Sequence, residues 1–500
     1  MGAEKTNMKR YLLGIDVGTT GTKTLLFDAG GALLARAYES YALAAPAPGR
    51  GEQNPDDWWQ AVCHTVREVC RSVPGAGEQV AALALSVQGG TLAAVDRALR
   101  PVRPAIVWND TRAARQQAEF IRELGGAERM YQKTGWGLGP SLPAVMLRWL
   151  REEEPERFAE AKWFLTVPDY LSMKLTGKAV CDLSSAGINQ LCDIRAAKYD
   201  AQLLAFAGVR EESLAELARA GSVIGTLTAD AAQALGLTEA CLLVTGAHDQ
   251  YAAALGAGAL RGGDVFIGSG TCWVVSAICD EPDFSSGLAV SAAAVPGKWG
   301  ALCSLPSGGV CLDWLRKSIA SGEDGQALSY ECINAEAQTR AAAEKGLFFY
   351  PFAGKCGKAG SLSRGSFLGL DLSDDRFDLA RAVMEGVVFQ TAWMLDGFRN
   401  QPGAEGIILS GGASRSPVWR QLLADALGCP VRIPEIADLP CVGAAILAGV
   451  GSGLYRDAEE GFRTLAPQQT VILPDTARAE NYRALQKIYR AGAEKLAELP

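Results

Sequence analysis

Histidine is nearly absent from this chain: its 500 residues contain two, His64 and His248. Thirteen cysteines are present, but no two stand in a Cys-x-x-Cys arrangement, so zinc-ribbon and thioredoxin-type readings fail on spacing. Cys63, Cys70, Cys181, Cys192, Cys241, Cys272, Cys303 and Cys311 lie in apolar segments, as small hydrophobes of a reducing compartment do. No apolar run is long enough to span a membrane, and the start lacks the pattern of a signal peptide. Lys and Arg form no dense stripe and the net charge is −8, which excludes the electrostatic footprint of a nucleic-acid binder. The opening MGAEKT fits the permissive N-myristoylation pattern, yet residues 1–10 read better as a polar, disordered tail. The expectation is a cytoplasmic protein without a membrane or nucleic-acid partner. Its hydrophobic fraction of 48% is enough for large cores in two or more domains.

What is present is organised as α/β. YLLGIDV (11–17), TKTLLFD (22–28) and ALLARAY (32–38) are apolar runs separated by turn residues and predict a β-meander. A helix is predicted from Trp58 to about Ser72, a buried strand over 80–87, and short strands over 91–96 and 104–108. Residues 184–190 read as a Gly/Asn-rich stretch. The pattern then restarts: CLLVTGAHD (241–249) is a strand running into a loop, and 262–278 gives strand, Gly-rich turn, strand. A long helix follows over 378–398, a strand over 407–412, a small-residue helix over 440–448 and a charged helix over 476–498. IDVGTTGTKTLLF and VFIGSGTCWVVSA echo each other, one in each half, which suggests a duplicated architecture closing on a cleft.

Three motifs carry chemistry. In Asp16-Val-Gly18-Thr19-Thr20-Gly-Thr22-Lys23, small residues at a tight turn let backbone N–H groups approach phosphate oxygens. Thr19, Thr20 and Thr22 add hydroxyls, and Lys23 adds a point charge. A Walker loop is excluded, because Thr22 rather than Gly precedes Lys23 and a strand follows. Asp16, at the end of a buried strand, is an expensive carboxylate unless it is paired or faces a hydrated cation, here Mg²⁺. Asp249 follows a strand beside a Gly loop, where an α/β protein places ligand chemistry. It suits a general base for phosphoryl transfer and equally an N-cap, and the two roles are compatible. His248 reads as a packed or hydrogen-bonded histidine. Ser410-Gly411-Gly412-Ala-Ser414, between a strand and a helix, suits the flat face of adenine and ribose.

Together these residues resemble the FGGY carbohydrate kinases over about residues 11–455. The first phosphate motif of that family resembles IDVGTTGTK. The second resembles IGSGTCW, with Gly268, Gly270 and Thr271; the aspartate motif resembles GAHDQ; and the adenosine motif resembles LSGGASRSPVWRQLLAD. Gly365-Ser-Phe-Leu-Gly369-Leu370, a seven-residue spacer and Asp378-Leu379-Ala-Arg-Ala382-Val-Met-Glu385 match its late signature completely. An earlier signature fits at Pro143, Leu147, Trp149 and Leu150 but has Met146 where Lys is usual. The resemblance implies two actin-like (ribonuclease H-like) α/β domains with a catalytic cleft between them. Tail 1–10 would be followed by an N-terminal domain 11–254, a C-terminal nucleotide domain 255–460 and a helical extension 461–500. It implies transfer of phosphate from ATP, with Mg²⁺ positioned by Asp16, to a hydroxyl of a small sugar, polyol or sugar acid, with Asp249 as base. It leaves a homodimer open.

The substrate region departs from the better-known patterns. Xylulokinases have Gln-Met-His-Gly and glycerol kinases Gln-Arg-Glu-Thr where this chain has Gln88-Gly89-Gly90-Thr91. Gly354-Lys-Cys-Gly-Lys358 replaces a Gly-Glu-Arg-Thr-Pro loop. The two glycines would leave room for a bulkier substrate, or for one read from elsewhere. Gln88, Trp108, Asp110, Arg112 and Gln250 are the candidate substrate contacts. Asp110 and Arg112 read equally well as a structural ion pair, and Trp108 as a sugar platform or as core. The alternatives are xylulokinase proper, an actin-like ATPase without a sugar substrate, and an idle sugar-binding regulator.

Overall fold

The computed structural model describes residues 10–319, 326–352, 354–355, 361–362, 364–398, 405–465 and 468–497. Residues 1–9 of the expected tail and 356–358 of the substituted loop lie outside the described residues.

Two sheets share one strand plan. In the first, Tyr11–Val17 pairs antiparallel with Gly21–Asp28, which pairs antiparallel with Leu33–Ser40. On its other side Tyr11–Val17 runs parallel to Val80–Val87, which runs parallel to Leu242–His248. In the second, Val265–Ser269 pairs antiparallel with Trp273–Cys279, and that strand with Trp299–Leu305. Val265–Ser269 then runs parallel to Ile407–Gly411, and Ile407–Gly411 to Val431–Pro434. The echo in the sequence is thus a duplicated meander extended by parallel strands. This is the doubled actin-like α/β plan.

The central strands are apolar on both faces because helices cover both. Leu13, Ile15 and Val17 join one core under helix Pro55–Ser72, while Leu12 joins the core of the opposite face. Helix Pro55–Ser72 starts three residues earlier than its apolar period suggests. Asn54 caps it by accepting from the Asp56 N–H, Pro55 occupies the first turn, and Asp56 and Asp57 complement the dipole. Residues 184–190 differ from the expectation of an irregular stretch: Leu183–Asn189 is a helix, capped by the Asp182 carboxylate on the Ser185 N–H. Residues 461–500 are not an appendage. Gln469–Ile472 is the edge strand of the second sheet, and Tyr482, Leu485 and Tyr489 of helix Thr476–Ala497 belong to that domain's core.

Helix Leu439–Gly451, late in the chain, packs on strands Tyr11–Val17 and Val80–Val87 of the first domain and on helix Asp249–Gly256. Backbones meet there. A methyl at Gly14 would lie 1.8 Å from the Cys441 carbonyl oxygen, one at Gly256 2.1 Å from that of Leu439, and one at Gly443 2.0 Å from that of Ala252. Gly443→Ala is therefore expected to destabilise by roughly 1–3 kcal/mol and to depress kcat by shifting the helix that carries Asp249. Gly137→Ala, which meets nothing within 4 Å, is the control and should stay within about 0.5 kcal/mol. Thermal melts and turnover check this, and equal melting points for the two variants would refute it.

Candidate active site

The cleft chemistry is built at strand ends and helix starts. Asp16 ends the first strand and accepts a hydrogen bond from the Ser86 hydroxyl at 2.8 Å, delivered by the adjacent parallel strand. Asp249 is the first residue of helix Asp249–Gly256, and Asp438 immediately precedes helix Leu439–Gly451. The close crossing of those helices brings both carboxylates to the first strand. Lys23 reaches Asp438 at 3.0 Å. Burial, then the neighbouring Asp249 carboxylate, pushes the Asp16 carboxyl from 3.8 up to about 7, against the Ser86 hydrogen bond and the Lys23 charge. Asp16 and Asp438 thus share one lysine, and Asp249 adds a further negative charge beside Asp16.

Mg²⁺ fits this excess of negative charge. Among the described residues no three His, Cys, Asp or Glu side chains converge to chelate a metal, so the ion would be held largely through water and phosphate oxygens, as Mg²⁺ prefers.

The two turns expected to hold phosphate are tight. Gly18 N–H donates to the Gly21 carbonyl at 3.0 Å, and the Tyr41 hydroxyl holds the Gly18 carbonyl at 2.6 Å. Thr20 is exposed, while Thr22 is fully buried in strand Gly21–Asp28 and so offers nothing to a ligand. On the other side Gly270 and Thr271 line a cavity of about 840 Å³ whose further walls include Gly309, Asn334, Gly412 and Ser416. Gly268 lies apart from that cavity, toward Gln250, whose Oε1 would be 3.7 Å from a methyl there. Gly411 adopts φ +94° against Ser269, and Ser269 locks the two loops together: its carbonyl accepts from Gly412 N–H at 2.6 Å and its hydroxyl from Ala413 N–H at 3.1 Å. The Ser414 hydroxyl turns back to the Gly411 carbonyl at 2.7 Å. Ser416 and Asn334, hydrogen-bonded at 2.6 Å, line the cavity together with Thr271, Asp313, Glu331 and Arg415. Sequence reading missed Ser269, Asn334 and Ser416. Asn334 comes from a segment with no motif, whereas the Ser-Pro step at 416–417 was visible as a helix start.

Several expected substrate contacts are engaged elsewhere. Gln88 is 2% exposed and fully occupied: it accepts from Thr19 and Thr91 and donates to the Gly18 carbonyl and to Gln53. It braces the first turn instead of facing ligand. Asp110 and Arg112 form the structural ion pair, bidentate at 2.9 and 2.7 Å, with Glu52 as a third member and Trp149 stacked beneath the guanidinium. Both side chains are almost wholly buried. Gly89 and Gly90 open no space: His248 fills the volume over Gly89, and Gly90 adopts φ +72° under Ile188. Trp108 remains available, 47% exposed, its indole N–H donating to the Thr19 hydroxyl at 3.0 Å. The late signature is structural: Asp378 completes a capping box and pairs with Arg340 and Lys345, and Glu385 pairs with Arg381 inside the core.

Comparison with known proteins agrees with this geometry. Residues 11–256 match the N-terminal domain of the FGGY family of carbohydrate kinases, and residues 265–452 match its C-terminal domain. The chain belongs to the FGGY family of carbohydrate kinases. It is 28% identical over 495 residues to a gluconokinase of Bacillus subtilis, covering 96% of this chain and 95% of that one. It is 26% identical over 486 residues to a xylulose kinase of the same organism, covering 96% of each. The solved xylulose kinase from Rhodospirillum rubrum superposes with a TM-score of 0.89 at 28% identity, over 97% of this chain and 99% of that one. This FGGY protein is a carbohydrate kinase, and no described helix is long and apolar enough to cross a membrane.

The raised Asp16 gives a sign-definite prediction. Its folded pKa lies above its unfolded one, so its contribution to stability is fully present below pH 3.8 and lost as pH rises through about 7. Asp16→Asn is expected to melt higher than wild type at pH 8, to show no such gain at pH 4, and to lose at least about a hundredfold in kcat. A melting difference independent of pH would show that Asp16 is not the strained group.

Proposed function

We propose that this kinase transfers the γ-phosphoryl group of ATP to a hydroxyl of a small sugar, polyol or sugar acid, with Asp249 as general base. The observation that carries this reading is the placement of Asp249. It stands at a helix N-terminus and close enough to Asp16 to raise that carboxyl's pKa, and Asp16 also feels Lys23 and Asp438. The acceptor hydroxyl gives its proton to an Asp249 carboxylate oxygen as the alkoxide oxygen forms its bond to the γ-phosphorus. The bond from that phosphorus to the bridging oxygen breaks, and ADP leaves with the electron pair. Mg²⁺, positioned by Asp16 through water, would neutralise phosphate charge. The Gly18–Thr20 turn would donate N–H groups to phosphate, Gly270, Thr271 and Gly412 would border the nucleotide, and Trp108 and Gln250 would border the acceptor. The gluconokinase and xylulose kinase relatives support a sugar or sugar-acid acceptor. Membership of a carbohydrate kinase family disfavours an actin-like ATPase without a sugar.

The test is ATP turnover with and without a panel of ketopentoses, polyols and aldonates. Turnover should depend on acceptor. Asp249→Asn should lower kcat by roughly 10²–10⁴ while nucleotide binding survives. Near-normal phosphorylation by that variant would place the base elsewhere.

A further inference from the structure

Gly89 does not have the left-handed backbone that makes glycine obligatory at Gly90. Its side chain is missing because another residue fills the volume. A methyl at Gly89 would lie 2.4 Å from Cδ2 and 2.6 Å from Nε2 of His248, and 3.3 Å from Ile188. His248 is the last residue of strand Leu242–His248 and directly precedes Asp249. It is 6% exposed. Its backbone N–H donates to the Ser184 hydroxyl at 2.9 Å, and its ring sits edgewise between Trp136 and Tyr251, with centroids at 6.2 and 5.9 Å. Nδ1 accepts from the Gln250 N–H at 3.4 Å and lies 3.4 Å from Asp249 Oδ1. In the tautomer that accepts this N–H at Nδ1, the proton sits on Nε2. No described residue hydrogen-bonds Nε2, and it is not among the sealed, unpartnered atoms of the interior. A ring held this firmly, with a free donor beside the base, is arranged for a ligand oxygen.

Resting on the kinase reading above, we propose that His248 is a substrate-binding, specificity-determining residue, its Nε2–H donating to an oxygen of the acceptor next to the hydroxyl that Asp249 deprotonates. Gly89 is the space this ring requires. The polar recognition expected from the 88–91 loop comes from the strand of the base itself, so one element sets both the reacting hydroxyl and its neighbour. The ligand class is a polyol or sugar with vicinal oxygens, and acceptors lacking the second oxygen should be poor.

The test compares His248→Ala, His248→Gln, Gly89→Ala and the double variant Gly89→Ala/His248→Ala, using the best acceptor from the panel and its deoxy analogue. His248→Ala should raise the acceptor KM roughly tenfold to a hundredfold, leave the ATP KM unchanged, and shrink the preference for the acceptor over its deoxy analogue. His248→Gln, whose amide reaches the Nε2 position, should recover most of the loss. Gly89→Ala should damage acceptor kcat/KM about tenfold or more by displacing the ring, and should add little on the His248→Ala background, because the clash is gone. Acceptor kinetics and selectivity unaltered by His248→Ala, or additive effects of the two alanines, would reduce His248 to packing and overturn the proposal. If His248→Ala does not fold, the Gln and Gly89 variants decide by the same criteria. A wild-type protein that phosphorylates no acceptor overturns the kinase reading itself, an outcome distinct from turnover that ignores His248.

Discussion

The contact on which this molecule depends is the crossing of helices Asp249–Gly256 and Leu439–Gly451. One begins at Asp249 and the other begins after Asp438, the partner of Lys23. Packing distance between helices is set by the side chains at the contact, and here glycines remove them: Gly256 meets Leu439 and Gly443, and Gly443 meets Ala252. Gly14 lets the same late helix lie against the first strand. The last third of the chain is thereby fastened to the first twenty residues, and Asp16, Asp249 and Asp438 cannot be separated without breaking that contact. A looser crossing would still bury apolar area but would lose the alignment of three carboxylates from three distant segments.

That alignment has an electrostatic price. Asp16 cannot ionise at its ordinary pH with Asp249 nearby and little water around it, and Lys23, shared with Asp438, does not compensate. Helix N-termini soften the repulsion for Asp249 and Asp438, because both sit where the dipole favours anions. The same N-termini suit phosphate, so the site tolerates negative charge from two directions, and a cation would complete it. The strain is absent from Asp110, whose carboxylate is wholly buried but meets Arg112 in bidentate geometry and two backbone N–H groups. The contrast separates a structural acid from one kept for chemistry.

The fold was legible where local pattern decides. The two hairpins, strand Val80–Val87 and the small-residue helix follow from apolar runs, turn residues and small-residue spacing, and the doubled plan follows from their echo. Of the backbone positions singled out in the sequence, Gly270, Thr271 and Gly412 line the cavity. What could not be read was the occupation of side chains by remote partners. Gln88 looked free until Thr19, Gln53 and Thr91 were placed around it. Gly89 looked like open space until a residue 159 positions later, His248, was found in it. Residues 461–500 looked like an appendage because Gln469–Ile472 is a short, half-exposed strand whose pairing with Val431–Pro434 has no local signature.

The duplicated halves divide their labour in a way their topology explains. Parallel strands of an α/β sheet present their C-terminal ends to ligand. In the first half those ends are Val17, Val87 and His248, leading into the phosphate turn, the 88–91 loop and the base. In the second they are Ser269 and Gly411, leading into the second turn and the loop that borders the cavity. The first half carries charge at these ends and the second carries glycine and hydroxyl groups, so on the proposed reading the first would activate and the second would hold. Ser269 shows how the second half does so: a single residue ties both of its ligand loops into one surface through backbone and side chain together. On the reading proposed above, a surface fixed in that way would hold a flat base without choosing the chemistry, and the choice of acceptor would fall to the first half, where Trp108 is exposed and His248 stands beside Asp249.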